Sequence, residues 1–184
     1  MKIERLDIGR HCQLIRMLLL AILLIQLVFF VLSWVVPVAL HEGRFFMEVT
    51  PNGLAQGAVR NMADSQRWIG LALALPAVLV LCRAVWHLDR VLSGFQEKAM
   101  FAIGTIGHLR GFAGATFLSV ALSIAEVPVR ALVYRFALGV PDARIGAGVT
   151  SAELLVILVC GLFYLIAGIM HEGRRLEQEN EEFV

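Results

Sequence analysis

Four long apolar runs predict an all-α integral membrane protein: a four-transmembrane-helix bundle with both termini cytoplasmic. Composition is the first observation behind this. Hydrophobic residues make up 59% of the 184-residue chain and charged residues 17%, against about 45–50% and 25% in soluble globular domains. The mean hydropathy is +0.77. The second is blocking: 17–40 gives 24 residues without a charge, 68–82 and 111–125 give 15 each, and 154–170 gives 17. At 1.5 Å per residue, about 20 mostly apolar residues cross the hydrocarbon. The third is charge asymmetry. Four crossings put ten Lys and Arg on the side holding 1–16, 83–110 and 171–184, and six on the side holding 41–67 and 126–151. The richer side is expected to be cytoplasmic.

The chain then divides as a single membrane domain, 1–184. Span one is expected over 14–40. It is longer than a signal-peptide apolar region and no A-x-A-like cleavage site follows it, so it stays in the mature protein. Gln26, near its middle, is expected to bond to another helix. The span ends at His41-Glu42-Gly43-Arg44, a tetrapeptide that recurs as His171-Glu172-Gly173-Arg174 after span four. A repeated tetrapeptide arises by chance roughly 0.3 times in a chain of this length. Three further crossings separate the copies, so they fall on opposite faces and cannot share a metal. Each is expected to close a helix, with basic groups and glycine at its C-terminal end.

The external loop 41–65 holds a turn at Thr50-Pro51-Asn52-Gly53, where Gly53 supplies positive φ. Span two, 66–88, starts near Asp64 or Ser65 as cap, with Trp68 as an interfacial anchor and Pro76 as a kink. In the cytoplasmic segment 89–105, Val91, Phe95, Met100, Phe101 and Ile103 recur at near-helical spacing. One or two amphipathic helices lying along the membrane are expected there. Span three, 106–129, carries Gly107, Gly111, Ala115, Ser119 and Ser123 at four-residue intervals. Such a ladder lets another helix approach closely, within the monomer or in a second copy.

The second external loop, 130–150, offers a short surface helix through Val129, Leu132, Val133 and Phe136, and Glu126 is taken as a loop flank. Span four, 151–171, opens on a capping box, Thr150-Ser151-Ala152-Glu153. The acidic tail 172–184 extends it as a helix, with Glu177 and Glu179 pairing Arg174 and Arg175.

The chemistry expected is non-enzymatic. No nucleophile–base pair, paired intramembrane acids or HExxH spacing is present, so no catalytic residue, metal or cofactor is assigned. Cys12, Cys82 and Cys160 lack ligand spacing, and a net charge of +1 gives no basic surface for nucleic acid. The candidate partner-binding residues are Phe95, Phe101, Arg110, Arg174, Arg175 and Glu177.

Two stretches resemble a known family. The run GLFYLIAGIMHEGRRLEQENEEFV, 161–184, resembles the end of the bacterial membrane family called domain of unknown function 2975. Its members close on an apolar span and a Glu-rich helix ending in a hydrophobic residue. The run LDRVLSGFQEKAMFAIGTIGHLRGFAGA, 88–115, resembles that family's cytoplasmic segment. Phe101 and Leu109-Arg110 fit the pattern, while Lys98 stands for a glycine and Thr105 for an asparagine. The family has no established activity, and its members often lie beside small helix-turn-helix regulators. The resemblance therefore implies a bacterial inner-membrane sensor or tether for a cytoplasmic regulator. The alternative is a small transporter, channel or immunity-type protein acting as a homo-oligomer or on another membrane protein.

Overall fold

The computed structural model describes residues 4–35, 39–42, 45–48, 50–54, 58–96, 102–140 and 148–182. Four helices dominate: α1 Glu4–Val35, α2 Asp64–Gln96, α3 Ile103–Ala137 and α4 Ser151–Glu182. Each contains a stretch long and apolar enough to cross a membrane. At 1.5 Å per residue they are about 48–53 Å long, well beyond a hydrocarbon thickness of about 30 Å. A hairpin of β1 (Ala39–Glu42) and β2 (Phe45–Glu48) and a short 3₁₀ turn, Ala58–Asn61, join α1 to α2.

The helices alternate in direction. Arg16 in the first half of α1 meets Asp89 in the last third of α2, and its Nε donates to Oδ1 over 2.6 Å. Tyr134 near the end of α3 donates its hydroxyl to the Gln66 carbonyl at the start of α2 over 2.6 Å. Packing follows chain order, α1 on α2, α2 on α3 and α3 on α4, with α2 against α3 the most extensive. A small core of Val91, Ile106, Leu109 and Ala167 joins α2, α3 and α4 at the end near the chain termini, with Phe95, Phe163 and Met170 against it. Leucines of α1 and α4, such as Leu18, Leu24, Leu158 and Leu165, remain exposed.

Several sequence expectations are corrected. α1 stops at Val35, short of 40, because Pro37 disfavours helical backbone before it and lacks an N–H to continue the ladder. The first HEGR therefore does not end a helix. His41 and Glu42 lie on β1, paired with Phe46 and Phe45. The second copy lies inside α4, which continues through Gly173 to Glu182. The alternating directions leave the copies at opposite ends of the molecule.

Residues 89–96, expected on a membrane surface, belong to α2, and 97–101 lie outside the described residues. α2 continues unbroken through Pro76 to Gln96, because Val91 and Phe95 bury themselves against α3 and α4. The surface helix expected after 129 is likewise the continuation of α3, through Pro128 to Ala137. Gly139, at φ +65°, ends it, and the Val140 N–H returns to the Tyr134 carbonyl over 3.1 Å.

Caps separate into one agreement and one shift. The box opening α4 is as expected: Thr150 N–H donates to Glu153 Oε2 over 2.6 Å, and Glu153 N–H donates to Thr150 Oγ1 over 3.3 Å. At α2 the capping position belongs to Ala63, not to Asp64 or Ser65. The Gln66 N–H donates to its carbonyl over 3.0 Å, and the Gln66 side chain accepts from the Ala63 N–H over 3.2 Å.

The ladder on α3 is only partly an interface. Gly111 faces the His87 ring, whose atoms lie 2.6–3.0 Å from where a Cβ would stand. Ser119 is buried and donates to the Ala77 carbonyl of α2 over 2.9 Å. Gly107 faces open space. Steps of four residues drift about 40° each on a helix of 3.6 residues per turn, so five rungs cannot share one partner.

Gly111 and Gly114 make a paired test. Gly111→Leu should lower stability by about 1–3 kcal/mol through overpacking against His87. Gly114→Leu enters open space and should change stability little. Thermal unfolding in detergent, followed by helical circular dichroism, separates them. Equal losses would contradict this account of the α2–α3 contact.

Candidate functional site

Near the hairpin end, α1, α2 and α3 enclose a half-open cavity of about 370 Å³. Periodicity places its walls. Gln26, Phe29, Phe30, Ser33 and Trp34 share one face of α1 at helical spacings, and Ala74, Ala77 and Val78 share one face of α2. Ser123 and Glu126 come from α3, and Thr50, Pro51 and Asn52 close the top. The alanines hollow out the α2 wall, while the phenylalanines and Trp34 supply an aromatic one.

The roof is held by a node around Arg130. Its guanidinium pairs with Glu126 four residues earlier on α3, and the two side chains are 3% and 5% exposed. Arg130 Nη2 donates to the Asn52 carbonyl over 2.6 Å. The same guanidinium lies 5.5 Å from the centroid of the Trp34 ring, a cation–π distance. Asn52 Nδ2 donates to Ser123 Oγ over 3.2 Å. Trp34 is 2% exposed, and Gly70 lets α2 close on it, because a Cβ there would run into Trp34 and the Tyr134 hydroxyl.

The roof turn sits one residue later than Thr50–Gly53. Leu54 N–H donates to the Pro51 carbonyl over 3.2 Å, so Pro51–Leu54 is the turn, with Gly53 at φ +70° in the position that a type II turn reserves for glycine. A Cβ on Gly53 would stand 2.9 Å from a Val127 methyl, so the turn seats directly on α3.

The buried charge pair is absent from the sequence-based candidates, where Glu126 counts as a loop flank. The signal was an acid and a base at i, i+4, with Tyr134 a further i+4 along the same face. Gln26 also departs from expectation. It lines the cavity and is exposed, and it hydrogen-bonds to none of the described residues rather than to another helix.

A second polar feature joins α2 to α3 nearer the other end. His87 and His108 bring their Nδ1 atoms within 3.0 Å, so one ring must carry the proton that the other accepts. Trp86 packs edge-on to both. Among the described residues, no three His, Cys, Asp or Glu side chains gather in a way that could hold a metal ion.

The expected partner-binding residues scatter. Phe95 is half-buried on the core cluster and is no free docking surface. Arg110 is exposed, its guanidinium 6.0 Å from the Tyr164 ring centroid on α4. Arg175 lies on the exposed end of α4 and pairs with Glu172 at 2.8 Å and Glu179 at 3.2 Å. Arg174 is half-buried. Phe101 and the side chain of Glu177 lie outside the described residues. Of the ladder, Ser123 reaches the cavity, Gly111 and Ser119 serve the α2 contact, Ala115 is half-buried, and Gly107 meets nothing within 4 Å.

The node predicts a strongly non-additive mutant cycle. Arg130→Met strands a buried carboxylate and Glu126→Leu a buried guanidinium, each costing about 3–5 kcal/mol. The double variant should be more stable than either single one, as read from denaturant unfolding in detergent. Additive losses would mean that the pair is not a buried unit.

No family model, curated protein or solved structure matches the chain.

Proposed function

We propose that this chain is a non-enzymatic bacterial inner-membrane protein that works as a sensor or tether for a cytoplasmic partner such as a small helix-turn-helix regulator. One observation carries the reading: α4 runs as a single helix from its apolar stretch through an exposed charged end, Ser151–Glu182. Arg175 is ion-paired on both sides, to Glu172 and Glu179, which favours that end as helix. A continuous helix is a rigid rod, so a displacement within the apolar stretch reaches the charged end. The cavity, walled by α1, α2 and α3, serves as the sensing end, and α4, which packs on α3, serves as the presenting end.

The alternative, a small transporter or channel, takes its support from the same cavity and from the polar groups of Gln26, Ser123 and Glu126 that border it. The two readings differ over the tail, which transport does not require.

Deleting 171–184, or reversing charge with Arg174→Glu and Arg175→Glu, should abolish recovery of a cytoplasmic protein in pull-downs from intact membranes, with the chain still inserted. Phe95→Ala is unsuitable as a probe because it also opens the core. Undiminished recovery from both tail variants would defeat the tether reading.

A further inference from the structure

We propose that the cavity at the hairpin end is a binding site for an uncharged small molecule with a hydroxyl or amide head and an aromatic or apolar body. This rests on reading that cavity as the sensing end of the protein. Its volume of about 370 Å³ lies in the lower part of the range of small-molecule pockets, about 300–1,000 Å³.

Charge decides the class. Glu126 borders the cavity, but Arg130 already neutralises it, in a pair whose side chains are at most 5% exposed. A cationic or anionic ligand would add an uncompensated charge beside that pair and against the Phe29, Phe30 and Trp34 rings, at a desolvation cost. A neutral ligand adds none. The head is specified by Gln26, an amide within an apolar helix that bonds to none of the described residues. An amide there wants both a donor and an acceptor from its neighbour, and a ligand hydroxyl or amide supplies both. The body is specified by Phe29, Phe30 and Trp34 facing Ala74 and Ala77, a slot between rings and small side chains. The molecule can arrive from either the aqueous phase or the lipid, since the head and body are the same in both cases.

The test uses the full chain in lipid nanodiscs with Trp34 as the sole tryptophan, through Trp68→Phe and Trp86→Phe, both replaced residues being exposed. Three isosteric quenchers are titrated against empty nanodiscs: neutral 4-nitrobenzyl alcohol, cationic 4-nitrobenzylammonium and anionic 4-nitrobenzoate. Saturable Trp34 quenching by the alcohol is expected, at least tenfold tighter than by either ion. Gln26→Leu should weaken it about threefold to tenfold, the worth of one hydrogen bond, while circular dichroism stays unchanged. Ala74→Phe, which fills the slot, should abolish it.

Equal or tighter binding of an ion, an unchanged affinity in Gln26→Leu, or no saturable quenching by any probe overturns the proposal. Stopped-flow mixing separates the sources, because at equilibrium the alcohol has one chemical potential in both phases: quenching lags behind partitioning into the disc for entry from lipid and precedes it for entry from water. Probe binding is read without any partner, so a failure here leaves the sensor-or-tether reading to its own pull-down.

Discussion

A guanidinium inside an apolar helix must be neutralised and hydrogen-bonded, and the hairpin end of this protein is arranged around meeting that demand for Arg130. No single neighbour suffices. Glu126 takes the charge, the Asn52 carbonyl takes a further N–H, and the Trp34 ring covers one face of the group. These three partners come from α3, the loop before α2 and the end of α1. One side chain thereby fixes elements that share little backbone contact, and the loop it draws down becomes the cavity's roof. Geometry that first answers a stability problem also produces the most site-like feature of the molecule.

At the other end α2 and α3 are joined by close approach rather than by charge. Gly94 approaches Thr105 so closely that a Cβ there would collide with it, and Gly111 gives room to the His87 ring. The close approach of α2 and α3 sets the position of the Val91, Ile106 and Leu109 core, on which α4 rests through Ala167. α1 is held to α2 by different means, through Arg16 and Asp89 near one end and Trp34 against Gly70 near the other. Toward the Trp34 attachment, from Gln26 on, its inner face borders the cavity.

The fold was legible in the sequence where a signal is local or cumulative. Apolar run length marks the four helices, Thr150 and Glu153 mark the start of α4, and the Pro51–Gly53 stretch marks a tight turn. What stayed hidden depends on partners. Glu126 looked like a loop flank because hydropathy scores each residue alone, whereas its cost is cancelled by Arg130. Phe95 looked like an exposed contact because a helical stripe of apolar residues suits a membrane surface and a neighbouring helix equally well. Gln26 looked like a helix-packing residue because its position in the run says nothing of what stands opposite. The end of α1 was missed for another reason: run length reports apolarity, and Pro37 breaks a helix without lowering it.

The two HEGR copies carry a last consequence. His41-Glu42 is extended and paired with its hairpin partner, while His171-Glu172-Gly173-Arg174 is helical throughout. The His-Glu pair thus takes different conformations in the two copies, Gly43 and Arg44 lying outside the described residues. Four residues are too short a word to carry their own shape. An alignment drawn through this tetrapeptide between the halves of this chain would set a strand against a helix.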